Sequence, residues 1–238
     1  LVQNTQGYLN LSELLARAWT QNADKPQASV KLAWLQELNE GLIALSGAQA
    51  GPVGQALVQG DEERAHEVAL QLSGLFAHRF YIELQRYGQP QAEQLVAASV
   101  ALAAGLNLPV VATHPVQFLE RDDFRAHEAR VCIAEGYVLA DPRRPRVFTE
   151  EQYFKSQAEM QALFADLPEA LENSIEIARR CNLSVELGKN RLPQFPVPEG
   201  VTLDDYLTQQ AEQGLARRLA QLFPDAAERE ERRPEYTA

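Results

Sequence analysis

The side chains that could hold a metal ion or act as general acids and bases are sparse and scattered in this sequence. The 238 residues include four histidines and two cysteines. His66 and His78 have no partner at ligand spacing, which predicts surface residues. Cys132 and Cys181 lie far apart in apolar helical contexts, and neither is part of a CxxC or Cys/His pattern of the kind that binds structural zinc. We therefore expect two buried, reduced thiols, which are typical of a cytoplasmic protein.

His127 has two possible roles. Helical spacing places it on one face with Phe124, Val131 and Ala134, so a hydrogen-bonded histidine in or near the core is the ordinary interpretation. The alternative is a metal ligand, with Glu128 beside it, because imidazole is a common ligand for divalent metals.

The charge balance argues against nucleic-acid binding by this chain. The formal net charge is -11 and the pI is about 4.9, whereas phosphate neutralisation needs clustered lysine and arginine. The basic runs are short, as in Arg143-Arg144-Pro145-Arg146, and most lie next to acids. We interpret these runs, and the acid-rich stretch 225–235, as solvated helix surfaces and helix ends.

The sequence contains no apolar stretch that could cross a membrane, and it does not begin at methionine. The most apolar stretch, 95–106, is interrupted by Ser99 and Gly105 and is too short to span a bilayer. The sequence begins at Leu1 rather than at methionine, so we expect an excised segment of a longer protein.

In the first half of the chain, patterns typical of strands alternate with patterns typical of helices, and these elements could position the residues above. Asn10 and Glu13 have capping-box spacing, which predicts a helix start at Asn10. The pattern then predicts strands at 41–46, 79–85 and 109–113, with helices at 62–76 and 91–104. Strands that alternate with helices indicate a parallel sheet with helical crossovers.

The second half is predicted to be mainly helical. Helices are expected at 122–136, at 156–164 behind the capping box of Ser156 and Glu159, and from 166 to about 181. The segment 192–200 contains three prolines, so it must be extended and is the best candidate for a domain boundary. Thr202 is expected to cap a final long helix.

Several blocks of the sequence together resemble the alpha subunits of bacterial DNA polymerase III, a family of replicative polymerases. They are LNEGLIALSG, FYIELQRYGQP, LPVVATHPVQFLERDDFRAHEARVCIAEG, YFKSQAEMQALFADLPEALENSIEIARRCN, LPQFPVPEG and DYLTQQAEQGLARRL. The blocks occur in the family's order and extend over nearly the whole chain, which is far more specific than a single motif.

The resemblance implies an α/β fold in two parts. Residues 1–185 would be the C-terminal portion of a polymerase and histidinol phosphatase (PHP) domain, an incomplete distorted β/α barrel, and residues 186–238 a connector and the first helix of the palm. The family's first metal-binding motifs would lie upstream of Leu1, and the palm carboxylates that bind magnesium would lie downstream of Ala238. A barrel interrupted in this way would expose sheet edges that tend to pair with another chain.

The resemblance also implies that the PHP metal site is eroded. Metal-binding relatives carry a glutamate at the position of Glu83, but a histidine where this chain has Tyr87, and a phenol with a pKa near 10 is a poor ligand at neutral pH. In the segment beginning Thr113-His114, Pro115 replaces an aspartate and Gln117 replaces a histidine, and the side chain of His114 should point to the other face.

The resemblance therefore predicts a non-catalytic scaffold and docking part of a DNA-directed DNA polymerase, with no catalytic residue, metal or cofactor of its own. The parent protein would use magnesium, DNA and deoxynucleoside triphosphates, and would bind other holoenzyme subunits, notably the proofreading exonuclease. One alternative is a metal-dependent phosphoesterase, an exonuclease or pyrophosphatase, that uses Glu83, His114, His127 and Glu128. Another is a free-standing helical adaptor.

Overall fold

The computed structural model describes residues 1–21, 28–190 and 195–237. The chain divides into two compact units, Leu1–Val185 and Glu186–Ala238, which we call unit 1 and unit 2. Part of the predicted proline-rich boundary, 192–194, lies outside the described residues, and the rest of it contains neither helix nor strand.

Within the described residues, unit 1 consists of a small sheet, eight α-helices and two 3-10 helices, Ala48–Ala50 and Arg121–Asp123. The strands are β1 (Ala44–Leu45), β2 (Phe80–Gln85) and β3 (Val110–Thr113). The helices are α1 (Thr5–Thr20), α2 (Leu32–Glu37), α3 (Pro52–Val58), α4 (Glu62–Leu75), α5 (Ala92–Leu106), α6 (Phe124–Glu135), α7 (Gln157–Leu163) and α8 (Pro168–Arg180). The predicted helices α4 to α8 are confirmed within a few residues, whereas α2 and α3 had no counterpart among the sequence predictions.

The sheet is parallel, in the order β1-β2-β3, as the strand–helix alternation predicted. β1 is much shorter than the predicted strand 41–46. β1 pairs with β2 so that Ala44 is aligned with Phe80, and β3 pairs with β2 so that Val111 is aligned with Glu83. This is a mixed α/β fold with a small parallel sheet, and the incomplete distorted barrel remains a prediction.

The two faces of the sheet bury different cores, because successive strand side chains point to opposite sides. Phe80, Ile82 and Leu84 of β2 join the larger core. Tyr81 lies on the other face, in a smaller cluster with Val111 and Ile177. Glu83 and Gln85 share the face of Tyr81, so β2 places a carboxylate and an amide at its carboxyl-terminal end.

The predicted start of the first helix is wrong. Asn4, not Asn10, is the N-cap of α1, and its side chain accepts a hydrogen bond from the Gly7 N–H at 3.0 Å. Asn10 is buried inside the helix, where its Nδ2 donates to the Glu40 carbonyl at 2.9 Å. A buried amide with a tertiary partner stabilises the helix interior here, although asparagine is a better cap than an interior residue.

The sheet edges are partly covered, contrary to the open edges expected of an interrupted barrel. Residues 1–3 pair antiparallel with 41–43, through the bridge Val2–Leu42 and the hydrogen bond from Ile43 N–H to Leu1 O at 2.9 Å. On the outer strand β3, the Val110 carbonyl accepts a hydrogen bond from Asn173 Nδ2 of α8 at 2.8 Å. Covered edges are less prone to pair with another chain.

Unit 2 is helical where the structure describes it. Its helices are α9 (Leu203–Leu222), α10 (Ala226–Arg232) and α11 (Pro234–Thr237). Thr202 caps α9 as predicted, accepting from the Asp205 N–H. Among the described residues, no helix of either unit is long and apolar enough to cross a membrane.

Candidate functional site

Glu83 is the carboxylate that the resemblance placed in a former metal site, and the structure surrounds it with protein donors. One oxygen, Oε1, accepts from the Thr113 hydroxyl at 2.5 Å and from Gln85 Nε2 at 3.1 Å. The other, Oε2, accepts from the Gly47 N–H at 3.1 Å. Gln85 also donates to Thr113 Oγ1 at 3.0 Å, so the three side chains form a closed network.

This network is a direct consequence of the strand register. Glu83 and Gln85 are two residues apart on one face of β2, and Thr113 pairs with Gln85 across the ladder. A carboxylate that already accepts three hydrogen bonds has few lone pairs left for a metal ion. The cavity bordered by Glu83, Gln85 and Tyr87 measures about 10 Å³, which is room for roughly one water molecule.

Tyr87 is used as a hydrogen-bonding residue next to this network. Its hydroxyl donates to Gln49 Oε1 at 3.0 Å, and its carbonyl accepts from the Thr149 hydroxyl. Burial raises the pKa of the phenol above its ordinary value. Tyr87 therefore stays neutral at physiological pH and does not offer an anionic oxygen.

The segment after β3 is held by the backbone of residues 151 and 152 and by the side chain of Gln152. His114 contacts the Glu151 carbonyl through Nε2 at 2.8 Å, and burial is the main cause that lowers its pKa. Gln152 Nε2 donates to the Pro115 carbonyl at 3.2 Å, and the Gln117 N–H donates to the Gln152 carbonyl at 2.8 Å. His114 and Thr113 thus have different partners, and Gln117 contributes its backbone to the fold.

Glu151 links the neighbouring charges. Its carboxylate pairs with Arg121 at 2.5 Å and with Lys155 at 2.8 Å. The hydrogen bond from Lys155 is the main cause that lowers the pKa of the Glu151 carboxyl. Both oxygens of this acid are therefore engaged in ion pairs.

His127 is 5% exposed and lies among aromatic rings. Its ring centroid is 4.6 Å from that of Phe148 and 5.3 Å from that of Phe118. Arg130 Nη2 lies 3.1 Å from Nδ1, and since arginine only donates, Nδ1 is the acceptor. Burial and the charge of Arg130 lower the pKa of His127.

Glu128, which the alternative interpretation placed beside His127 as a metal ligand, forms an ion pair. Its Oε1 lies 2.6 Å from Arg144 Nη1, and both side chains are largely buried. Arg144 Nε also donates to the Leu139 carbonyl at 3.1 Å. The pair attaches the basic run 143–146 to α6, which gives this run a structural role.

These residues do not fit a metal cluster. Over residues 1–21, 28–190 and 195–237, no three histidine, cysteine, aspartate or glutamate side chains come close enough to hold a metal ion. The carboxylate oxygens of Glu83 and Glu128 accept hydrogen bonds or form ion pairs instead, whereas His114 Nδ1 and His127 Nε2 are buried without a hydrogen-bond partner among the described residues. We therefore derive no chemical step through a metal here.

The sequence analysis missed the hydrogen-bonding roles of Gln85, Thr113 and Gln152, but it placed the surface histidines correctly. Gln85 and Thr113 could have been found from the period of two along β2 and the register with β3, whereas Gln152 carried no local signal. His66 and His78 are exposed as predicted. Both cysteines are free, but only Cys132 is fully buried and Cys181 is half-buried, so the prediction of two buried thiols was wrong for Cys181.

Comparison with known proteins first defines the class of domain. The family model described as "PHP domain" matches residues 1–87. That range includes β1, β2, Glu83 and Tyr87 and ends before His114 and His127. The N-terminal third of the chain is therefore similar in sequence to the PHP domain family.

Curated relatives are similar to this chain along almost its whole length. Along 99% of its length the chain is 52% identical to the DNA polymerase III subunit alpha of Neisseria meningitidis serogroup A, of which it covers 21%. It is 47% identical to that of Pseudomonas aeruginosa and 46% identical to that of Escherichia coli K12, covering 99% of the chain and 20% of each relative. The resemblance to the alpha subunits of DNA polymerase III is confirmed, and the chain spans about one fifth of their length.

Proposed function

We propose that this chain is a non-catalytic scaffold and docking segment of a replicative DNA polymerase of the DNA polymerase III alpha type. The observation that carries the proposal is the identity of about one half to alpha subunits along the whole chain. The intact protein would extend a primed DNA strand from deoxynucleoside triphosphates in the cytoplasm, and magnesium would neutralise the developing phosphate charge.

The occupied carboxylate of Glu83 supports the non-catalytic part of the proposal. A catalytic metal site needs acidic ligands that converge with free lone pairs. Here Thr113, Gln85 and Gly47 fill the acceptor positions of Glu83, and Arg144 pairs with Glu128. The carboxylate of Glu83 instead links β2 to β3 and to Gly47, just after β1. The carboxylate of Glu128 links α6 to the basic run 143–146.

A primer-extension assay on the intact polymerase tests this role. Extension should require magnesium, and Glu83→Gln should leave kcat/KM within about twofold of the wild type. Glu135→Gln, an exposed change on α6, is the matched control. A polymerase that stays folded but loses most of its activity only with Glu83→Gln would contradict the proposal.

The docking role has a separate test. We expect the other holoenzyme subunits, notably the proofreading exonuclease, to be partners of the intact protein. Isothermal titration of the exonuclease subunit into the intact polymerase should give saturable binding, which should be retained by a truncated polymerase that keeps this segment and its preceding residues. Absence of binding heat, confirmed by gel filtration, would refute the docking role and leave the polymerase assay unaffected.

A metal-dependent PHP phosphoesterase is the second candidate function. The match to the PHP domain family favours it, as does His127 Nε2, a buried nitrogen without a hydrogen-bond partner among the described residues. Hydrolysis of a phosphodiester or pyrophosphate by the intact protein, lost on His127→Ala and retained in His66→Ala, would favour this function over the scaffold.

A further inference from the structure

A shallow cleft lies beside α6 in unit 1. About 290 Å³ of open volume is bordered by side chains that include Gln117, Phe118, Leu119, Asp123, His127 and Arg130. The cleft combines apolar side chains with one cation and one acid, which is the composition of an ordinary ligand site. Its volume is near the lower end for such sites, so it accommodates one or two side chains rather than a large cofactor.

Arg130 is held in a defined orientation at the border of this cleft. Its Nη2 donates to Nδ1 of the buried His127 at 3.1 Å. The His127 ring in turn contacts the rings of Phe118 and Phe148, which restrict its movement. Because the acceptor is fixed, the planar guanidinium is positioned before any ligand binds.

The other N–H groups of Arg130 are available to a ligand. The side chain is exposed, and it has no carboxylate partner in the part of the chain that the structure describes. Arg121 differs, since it pairs with Glu151 at 2.5 Å. A guanidinium with free donors can bind a carboxylate through two parallel hydrogen bonds, so Arg130 is suited to an external acid.

Exposed apolar side chains adjoin the cleft. Leu119, on its border, is 71% exposed. Phe154, whose N–H donates to the Leu119 carbonyl at 3.2 Å, is 68% exposed. Ile133, three residues beyond Arg130 on α6, is 82% exposed. Aromatic side chains and arginine are enriched at the centre of protein–protein contacts, and the surface therefore suits a ligand with an apolar side chain beside its carboxylate.

The acid at the cleft favours a peptide over a free phosphate or a lipid headgroup. Asp123 Oδ2 accepts the Glu120 N–H at 3.1 Å, and its charge repels ligands that carry only negative groups. A peptide offers N–H donors to Asp123 as well as a carboxylate to Arg130, so its charges complement both. The net charge of -11 also opposes the approach of an anionic lipid surface.

We propose that the cleft beside α6, bordered by Leu119, Asp123 and Arg130, binds a peptide segment of a separate protein in which a carboxylate lies beside an apolar side chain. Arg130 binds the carboxylate, Asp123 accepts a peptide N–H, and Leu119 contacts the apolar side chain. The inference rests on the proposed function, because it assigns a surface and a chemistry to the docking role.

Photo-crosslinking of the intact polymerase tests the proposal. The probe is N-acetyl-aspartyl-photoleucine amide, whose diazirine attaches to adjacent residues on illumination, and a matched probe carries asparagine in place of aspartate. Mass spectrometry of peptides from 117–133 measures the attachment. At equal, subsaturating concentration the acidic probe should label this region at least about fivefold more than the neutral probe, because charge-assisted hydrogen bonds are the stronger kind.

Two arginine variants locate the preference for the acidic probe. Arg130→Met should abolish it, because the guanidinium that binds the carboxylate is lost. Arg125→Met removes another exposed arginine of α6, about 140° away around the helix, and should retain the preference.

Equal labelling by the two probes, or a preference that survives in Arg130→Met, would overturn the proposal. So would an absence of labelling in this region, which would mean that other parts of the polymerase cover the cleft. Loss of the preference on addition of inorganic phosphate or anionic phospholipid vesicles at the probe concentration would assign the site to those ligands instead. The exonuclease titration is an independent readout. Its failure with an intact preference would refute only the docking of the exonuclease, and a lost preference with saturable exonuclease binding would refute only the cleft.

Discussion

At the scale of single residues, Glu83 is a carboxylate whose hydrogen bonds come from its own neighbourhood. It lies near the carboxyl-terminal end of the parallel strand β2, at a position where the resemblance predicted a ligand of an eroded metal site. In this chain two neighbouring side chains and one backbone N–H saturate the carboxylate. Its contribution is therefore to the stability of the sheet.

Replacement of Glu83 by alanine should destabilise unit 1. The change leaves Thr113, Gln85 and the Gly47 N–H without their acceptor, which should cost about 1–3 kcal/mol. Both tryptophans of the chain, Trp19 and Trp34, lie in unit 1, so urea unfolding followed by tryptophan fluorescence measures the loss. Glu135→Ala, on the surface of α6, should stay within about 0.5 kcal/mol of the wild type.

An unchanged urea midpoint in Glu83→Ala would contradict this structural role. It would mean that the three donors find water as readily as they find the carboxylate.

His127 should make unit 1 less stable in mild acid. Burial and the charge of Arg130 lower the pKa of His127 in the folded state, and Glu128 opposes this shift only in part. As the pH falls, the unfolded chain therefore takes up a proton at this histidine before the folded chain does. Stability is then complete above the unfolded pKa of about 6.5 and falls as the pH drops from there towards the lower folded pKa. The urea midpoint between pH 7.5 and 5.5 measures this slope.

His127→Gln should flatten the pH dependence, even if it lowers stability at every pH. His66→Gln, on the exposed side of α4, should leave the slope as it is. A slope that persists unchanged in His127→Gln would assign the acid sensitivity to other groups, such as His114.

At the scale of elements, periodicity and capping signals predicted the order of helices and strands but not every boundary. Ser156 and Glu159 form the capping box expected from their spacing, because both partners are local. Asn10 and Glu13 have the same spacing, yet Asn10 is buried against the Glu40 carbonyl. The true cap at Asn4 depends on the packing of α1 against the turn at Gly41, a contact between distant parts of the chain.

In the candidate site too, local contacts could be predicted from the sequence and distant contacts could not. The face shared by Glu83 and Gln85 follows from the alternation along a strand, and could be predicted. The contacts of Gln152 with Pro115 and Gln117 depend on how an irregular connector returns to the sheet. Sequence pattern contains no period for such a segment, so that part of the site required the structure.

The contact between α1 and the turn at 41 gives a prediction at this scale. A Cβ on Gly7 would lie 2.0 Å from the Gly41 carbonyl oxygen, whereas a Cβ on Gly74 of α4 would meet nothing within 4 Å. Gly7→Ala should therefore destabilise unit 1 by about 1–3 kcal/mol, since backbone must move. Gly74→Ala should be neutral or stabilising by up to about 1 kcal/mol.

The urea midpoints of these two variants form a matched comparison. Equal effects of the two alanines would show that α1 does not pack closely on the turn.

At the scale of the whole molecule, Arg86 connects the end of β2 to the α7–α8 turn. Its two terminal nitrogens donate to the Asp166 carboxylate at 2.6 and 2.9 Å, and Nη1 also donates to the Leu163 carbonyl. The guanidinium lies 5.0 Å from the centroid of the Phe164 ring, which is fully buried. One side chain thus ties helices after the PHP-matched region back to the sheet.

Arg86→Ala should loosen that connection. The loss of charge-assisted hydrogen bonds should cost about 1.5–3 kcal/mol, and hydrogen exchange should accelerate in α7 and α8 more than in α4. Arg64→Ala, which removes an exposed pair with Glu67, should cost no more than about 0.5 kcal/mol. Faster exchange throughout unit 1, with no preference for α7 and α8, would contradict a local connection.

Metal analysis of the intact polymerase tests most directly whether this segment is a scaffold or a metal enzyme. We predict that protein dialysed against zinc and manganese and then washed retains only substoichiometric metal in this domain, and that Glu83→Gln and His127→Ala do not change the amount. The reason is that the carboxylates of Glu83 and Glu128 are engaged in hydrogen bonds and an ion pair, and a metal ion needs acidic ligands with free lone pairs. One or more equivalents of either metal, lost in both variants and retained in His66→Ala, would contradict the scaffold assignment and establish a metal site in the PHP domain.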